Sequence, residues 1–184
     1  MGRYHNGGGI HRSYRSLYRR LLRVSHTYSC YASDKRDGAF AQGQRGDRSL
    51  KKIMEAAEKW NINIAIENQG NPEYLNFVFR NISSSRLYFC FDSGHERFYS
   101  PQLDLLDLYG DRLIALHLHD NNGQEDTHAL PFTGDVQWDR IAGKLKKLDY
   151  KGAVALETLN RGFEHIESPV AFLQIALERA KKIL

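Results

Sequence analysis

The tetrapeptide Ile-Ala-Leu-His, IALH at residues 114–117, has a pattern that recurs three more times along this chain. The other copies are IAIE at 64–67, FCFD at 89–92 and VALE at 154–157. Because side chains alternate between the two faces of a β-strand, each copy places two bulky apolar residues on one face. The opposite face carries a small residue followed, two positions later, by a group that can bind a metal. These groups are Glu67, Asp92, His117 and Glu157.

Segments with a helical pattern separate the four predicted strands. Apolar residues in 47–60 recur with the period of an amphipathic helix, and further helices are predicted at 71–82, 101–111, 136–150 and 168–184. Alternating strands and helices predict an α/β fold with parallel strands. The small residues on one strand face suit a crowded barrel axis, which favours a partial (β/α) TIM-barrel-like fold of about four βα units. An open doubly wound sheet would carry large apolar residues on both faces.

In a barrel of this kind the polar strand ends converge on one mouth. Three carboxylates in a partly dry mouth repel one another, and a divalent cation removes that repulsion while His117 adds a nitrogen donor. Mixed imidazole and carboxylate donors suit Zn, Mn, Co or Fe better than Ca. A single strand-end acid is more often a helix cap or a salt-bridge partner, but four groups at the same position of the pattern favour a metal site.

The stretch HLHDNNGQEDTHALPFTG, residues 117–134, gathers further histidines and acids. Asp126 and His128 form an Asp-x-His pair whose side chains can reach one ion, and His95 in FDSGH is the candidate partner. This set predicts a second metal or a substrate site, with loop hydrogen bonding as the alternative. His119 lies on the face of His117 but further out, which predicts a substrate-facing or surface position, with metal ligation as the less favoured alternative.

At these residues the chain resembles the xylose isomerase-like TIM-barrel superfamily, which contains sugar phosphate isomerases and epimerases and the endonuclease IV-type enzymes (AP endonuclease family 2). The matching segments run in family order within residues 48–184, and they are IAIEN, FDSGH, HLHDNNGQEDTH, GDVQWDRI and YKGAVALET. The resemblance implies that the four strand-end groups form a shared metal site. It further implies a zinc on His95, Asp126 and His128 in the endonuclease branch, and a substrate contact for His95 in the epimerase branch.

A complete barrel has eight βα units and about 250 residues, whereas this chain shows the pattern of the second half only. The opening strands are not recognisable, although LRVSHTYSCY at 22–31 could be a remnant strand, with His26 as a weak candidate ligand. A truncated barrel would leave a sheet edge exposed, and a homo-oligomer is the expected way to cover it.

The composition indicates a globular domain preceded by a segment of different character. Residues 1–47 hold nine basic and three acidic residues, a net charge of +6, and are predicted to be irregular; a transit peptide or a nucleic-acid-binding arm are the alternatives. Residues 48–184, the predicted barrel domain, hold 17 basic and 19 acidic residues, a net charge of −2, which argues against a nucleic-acid partner. Two cysteines and no apolar run near ~18 residues predict a cytoplasmic protein without membrane contact.

Two chemistries fit the candidate residues. The first is isomerisation or epimerisation of a small carbohydrate or sugar phosphate through an enediolate, with one divalent ion (Zn, Mn or Co) and with Glu67 and Glu157 moving protons. His95 is a catalytic and substrate-binding candidate, and His119 and Arg161 are further substrate-binding candidates; solvated loop charge is the alternative for Arg161. The second is endonuclease IV-like cleavage of abasic DNA, which needs two or three metals and a basic rim. A barrel fragment without activity is the third interpretation.

Overall fold

The computed structural model describes residues 28–29, 44–160, 162–166 and 168–183, and only the backbone of 28–29 and 44–48. A parallel sheet lies at its centre, with four strands in the same order as in the chain. The strands are β1 (Tyr28–Ser29), β2 (Ile64–Glu67), β3 (Leu87–Asp92) and β4 (Leu113–His117). The predicted α/β class with parallel strands is therefore confirmed, and β1 lies within the stretch suggested as a remnant strand.

Helices follow the strands and begin at recognisable signals. Asn71 and Ser168 each accept a hydrogen bond from a backbone N–H in the first helical turn, and a proline follows each cap directly. A 3₁₀ turn, Gly110–Arg112, leads into β4. The helices are α1 (Gln44–Trp60), α2 (Pro72–Asn81), α3 (Ser93–Tyr99), α4 (Leu105–Tyr109), α5 (Trp138–Lys147) and α6 (Pro169–Lys181).

The hydrophobic core lies between the bulky face of the sheet and the helices, as the alternation predicts. Ile66, Phe89 and Phe91 are fully buried, and the two phenyl rings meet edge to face with centroids 6.2 Å apart. Their neighbours in the core come from α1, α2, α4 and α5. Burying each such side chain contributes about 1.5–3 kcal/mol, so this packing holds the strands in register. The small residues Ala65 and Cys90 of the opposite face are also buried.

Two elements differ from the sequence prediction. Among the described residues, the segment GAVALE forms one parallel bridge, between Leu118 and Leu156, instead of a full strand. Its backbone is held by the N–H of Leu118 donating to Ala155 O at 2.9 Å and the N–H of Glu157 donating to Leu118 O at 3.1 Å. Helix α3 was not predicted, because its sequence SGHERFY has no apolar stripe and is short.

The structure does not decide three further predictions. Helix α1 begins at Gln44, before the predicted boundary between residues 47 and 48, and that domain boundary stays a prediction. His26 and Arg161 lie outside the described residues. Among the residues that are described, none of the helices combines the length and the apolar character that crossing a membrane requires.

Candidate metal centre

The strand ends place four potential ligands at one edge of the sheet. Parallel pairing aligns Asp92 at the end of β3 with His117 at the end of β4, and Glu67 ends the neighbouring strand β2. The bridge at Leu118 brings Glu157 to the same edge. The structure thus brings together the four groups that the sequence predicts to converge.

The four side chains lie close enough to share one ion. One donor atom from each lies within 4.8 Å of the others, and we call this set the first group: Glu67, Asp92, His117 and Glu157. His117 Nδ1 sits between two carboxylates, 3.1 Å from Glu67 Oε1 and 3.0 Å from Glu157 Oε2. Glu67 and Asp92 are buried, whereas the Glu157 side chain is 48% exposed. The first group is therefore buried at Glu67 and Asp92 and open to solvent at Glu157.

Protonated imidazoles balance the carboxylates when no cation is bound. Burial alone would raise the pKa of Glu67, but hydrogen bonds and charge from His117 and His95 outweigh burial and hold that pKa well below its ordinary value. The Cys90 thiol and the Glu67 carboxylate raise the pKa of His117 to about 11. A divalent cation would supply the same positive charge and displace the proton, as metal binding to histidine and carboxylate ligands requires.

A second set of donors lies beside the first. One donor atom from each of four side chains again lies within 4.8 Å of the others, and we call this set the second group: His95, His119, Asp126 and His128. Asp126 is central, with its Oδ2 3.3 Å from His95 Nε2 and 3.6 Å from His128 Nε2. Its Oδ1 lies 3.7 Å from His119 Nε2. The three residues predicted from the sequence are thus brought together, and His119 joins them.

His95 and Asp92 link the two groups. His95 Nδ1 lies 3.4 Å from Glu67 Oε1, while its Nε2 faces Asp126. The Nε2 of His119 lies 3.0 Å from Asp92 Oδ1. Burial lowers the pKa of His95, but its carboxylate partners Asp126 and Glu67 outweigh burial and raise it to about 10.

Several buried polar atoms at both groups have no hydrogen-bond partner in the part of the chain that the structure describes. They are Asp92 Oδ2, Asp126 Oδ1 and both ring nitrogens of His119. A buried donor or acceptor left unpaired costs about 1–3 kcal/mol, and more if it is charged. Cations would satisfy these atoms, so the residues present fit metal ligation.

Two residues that the sequence reasoning did not single out hold the site in place. The Asn68 side chain bonds both backbone groups of Asp92, accepting from its N–H at 2.7 Å and donating to its carbonyl at 2.8 Å. Asp120 is fully buried and anchors the loop that carries Asp126 and His128. Asn68 directly follows Glu67 in IEN, and Asp120 lies three residues after His117 in HLHD; a polar residue just past a strand end was the available sign.

Asp92 also caps a helix, which is the role named above as the alternative to metal binding for a single strand-end acid. Its Oδ1 accepts from the N–H of His95 at 2.7 Å and so caps α3. Its Oδ2 has no partner among the described residues, so capping uses one oxygen and leaves the other for a ligand. His119, for which the sequence predicts a substrate-facing or surface position, is instead fully buried.

A family model described as xylose isomerase-like TIM barrel matches residues 27–182 of this chain. Among curated relatives, the uncharacterized protein y4fM of Sinorhizobium fredii is 40% identical over 118 residues. That match covers 60% of this chain and 38% of the relative, so the chain spans well under half of the relative's length.

Solved structures share the fold. D-Allulose 3-epimerase from Methylomonas sp. superposes with a TM-score of 0.65 at 16% identity, covering 98% of this chain and 72% of that chain. The IOLI protein with a bound zinc atom superposes with a TM-score of 0.61 at 14% identity, covering 97% of this chain and 70% of that chain. At such identities the likeness shows the fold alone, which is TIM-barrel-like.

Proposed function

Since the chain belongs to the xylose isomerase-like TIM-barrel family, we propose that it is a divalent-metal-dependent isomerase or epimerase of a small sugar or sugar phosphate. The observation that carries this proposal is the position of Glu67 and Glu157 on either side of His117 Nδ1, with distances of 3.1 and 3.0 Å. Two carboxylates facing one substrate position are what proton removal and return next to a carbonyl require.

The first group holds the cation in this proposal. When bound, Zn, Mn or Co supplies Lewis-acid stabilisation of the negative charge that develops on neighbouring substrate oxygens. Each carboxylate can ligate through one oxygen and keep the other for proton transfer.

The chain's own carboxylates move the protons. One of Glu67 and Glu157 removes the proton from the carbon next to the substrate carbonyl. The C–H electron pair forms a carbon–carbon double bond, and the carbonyl π pair moves onto the oxygen to give an enediolate. For epimerisation the other carboxylate returns a proton to the same carbon from the opposite side. His95 is the candidate for holding a substrate hydroxyl when no ion occupies the second group, and Arg161 stays a further candidate for substrate contact. The complete burial of His119 argues against the substrate contact expected for it from the sequence.

A second candidate function is cleavage of phosphodiesters in abasic DNA. The second group favours it, because two neighbouring ions suit in-line displacement at phosphorus. The net charge of −2 over residues 48–184 opposes it, because DNA-binding surfaces are basic. A third candidate is a barrel without activity that has a structural or partner-binding role.

One set of assays separates the three functions. The full chain is loaded with Zn, Mn or Co and incubated in D₂O with ketoses that include D-allulose, and separately with abasic DNA. We expect deuterium to enter the carbon next to the carbonyl, and we expect Glu67→Gln and Glu157→Gln to abolish the exchange. Glu55→Gln, an exposed glutamate on α1, is the matched control and keeps the exchange. Cut DNA without exchange favours the second function, and retained zinc with neither activity favours the third.

A further inference from the structure

We propose that the second group is a closed zinc site with four protein ligands, that His119 is the fourth ligand, and that its ion fastens the loop 120–135 to α3. The sequence predicts three donors there, and the structure adds His119. The inference does not depend on sugar chemistry, since it concerns how the loop is held.

Hydrogen bonds to backbone carbonyls fix two of the histidines for ligation. His95 Nδ1 lies 3.0 Å from Asn68 O, and His128 Nδ1 lies 2.9 Å from Glu157 O. A carbonyl oxygen can only accept a hydrogen bond, so each Nδ1 carries the proton. Each Nε2, which faces Asp126, is then left with a lone pair that can bind a metal ion. A metal-ligating histidine usually donates its other N–H in this way.

His119 is held with its ring facing the group. Ser93 Oγ donates to the His119 carbonyl at 2.7 Å and accepts from its N–H at 3.0 Å. Gly94 packs against the ring so closely that a Cβ at that position would lie 1.9 Å from His119 Cε1. The side chain is 0% exposed and its Nδ1 has no hydrogen-bond partner among the described residues, while its Nε2 lies 3.0 Å from Asp92 Oδ1 and 3.7 Å from Asp126 Oδ1. A buried imidazole nitrogen that faces two carboxylates in this way can bind a cation.

The distances around Asp126 agree with one shared ion. The rings of His119 and His128 stack with centroids 3.9 Å apart and planes 12° apart, so the two rings must tilt towards each other to bind one ion in their planes. Zinc–nitrogen bonds of about 2.1 Å in a tetrahedron place ligand atoms about 3.4 Å apart, close to the separations of 3.3 to 3.7 Å around Asp126. Three imidazoles and one carboxylate suit zinc better than magnesium or calcium.

With four protein ligands, the ion of the second group has a structural role and not a catalytic one. Structural zinc sites are closed by four protein ligands, whereas catalytic sites keep one position open for water or substrate. His95 lies on α3, while Asp126 and His128 lie in the loop, so the ion joins loop to helix. His128 itself has a positive φ of 48°, a conformation that non-glycine residues adopt at a cost and that ligation would stabilise.

Zinc counting tests this site directly. The full chain is equilibrated with zinc, and bound metal is measured by elemental analysis beside the visible spectrum of the Co²⁺ form. We expect two ions in the unchanged chain, and one in His119→Ala and in Asp126→Asn, with the intense tetrahedral Co²⁺ bands lost in both. His165→Ala, which removes an exposed histidine outside both groups, is the matched control and keeps two.

Other outcomes would overturn the inference. Two ions with unchanged affinity in His119→Ala would show that His119 is not a ligand. A His119→Ala protein that loses the ion of the first group, as Glu67→Gln is expected to do, would show that His119 acts by orienting Asp92. Asp126→Asn changes one atom of a partly exposed loop residue and spares the core. If this variant still binds two ions, the second group is not a zinc site.

Discussion

At the residue scale, the central feature is an imidazole enclosed by carboxylates. His117 meets Glu67 and Glu157 through the same ring nitrogen, an arrangement that a proton or a metal ion can hold together. The sequence predicts this meeting from the position of each residue in its strand. It does not predict that His119 is buried, because one strand pattern cannot show that Gly94 of α3 packs against its ring and that Ser93 bonds its backbone.

Zinc affinity at the first group is expected to rise with pH. The pKa of His117 in the metal-free fold is raised to about 11 by Cys90 and Glu67, so the ring stays protonated at neutral pH and zinc must displace that proton. Affinity should increase about tenfold per pH unit for each proton displaced, between about pH 6.5 and 8. Calorimetric titration with zinc, in buffers of different ionisation enthalpy, counts the displaced protons. The Asp126→Asn variant is used because its second group is expected to bind no zinc. An affinity that does not change with pH would show a neutral His117.

The same shift has a consequence for the metal-free protein. The folded-state pKa of His117 lies above its ordinary value of 6.5. Its contribution to stability is therefore complete below about pH 6.5 and is lost as pH rises through about 11.

Replacing Gly94 by alanine is expected to destabilise the protein. The new methyl would overlap the buried ring of His119, and overpacking of this kind costs about 1–3 kcal/mol. Gly143→Ala is the matched control, because no atom lies within 4 Å of a Cβ there and alanine favours the helix by about 0.5–1 kcal/mol. Urea denaturation measures both, and equal free energies of unfolding for the two variants would contradict this packing.

At the element scale, elements with a periodic pattern were predictable and those without one were not. The period of α1 and the alternation of β2 and β3 follow from burial of one face, which the sequence displays. Helix α3 depends on a cap from Asp92 and on burial of polar residues against the sheet, neither of which leaves a periodic signal. The VALE segment keeps the strand alternation, but within the part of the chain that the structure describes it pairs only at Leu156. Sequence alternation does not specify how many partners a strand finds.

The loop 120–135 is expected to depend on Asp120. Its carboxylate accepts four hydrogen bonds, three from backbone N–H groups and one at 2.8 Å from an indole, and the donors are Asn121, Thr133, Val136 and Trp138. In Asp120→Asn an amide NH₂ replaces one carboxylate oxygen, so a hydrogen-bond donor faces the N–H donors of the loop. This change should lower the free energy of unfolding by about 2–3 kcal/mol. Zinc at the second group should weaken as well. Asp111→Asn, at an exposed aspartate, is the control in denaturation and zinc titration; equal stability of both variants would refute the anchoring role.

At the scale of the whole molecule, the described residues leave an apolar surface uncovered. One face of α6 exposes Val170 by 64%, Leu173 by 64% and Leu177 by 55%. The VALE segment next to it in the chain has a single bridge within the described ranges. Apolar side chains at this helical spacing normally pack against a neighbour. The homo-oligomer expected from the exposed sheet edge stays a prediction, and this surface is a candidate contact for it.

The oligomer prediction is tested by charge on that surface. Leu173→Glu should shift the full chain towards monomer in light scattering coupled to gel filtration, since a buried carboxylate at an apolar contact is costly. Leu108→Glu, at another exposed leucine, is the control and should leave the mass unchanged. A monomeric unchanged chain would contradict the prediction.

The most direct test of the account is the position of a metal ion in crystals of the zinc-loaded chain, found by anomalous scattering at the zinc edge. We predict a peak at the sheet edge with Glu67, Asp92, His117 and Glu157 as ligands, at about 2.0–2.2 Å. A zinc-loaded crystal without a peak there, or one in which these four side chains point apart, would contradict the central claim.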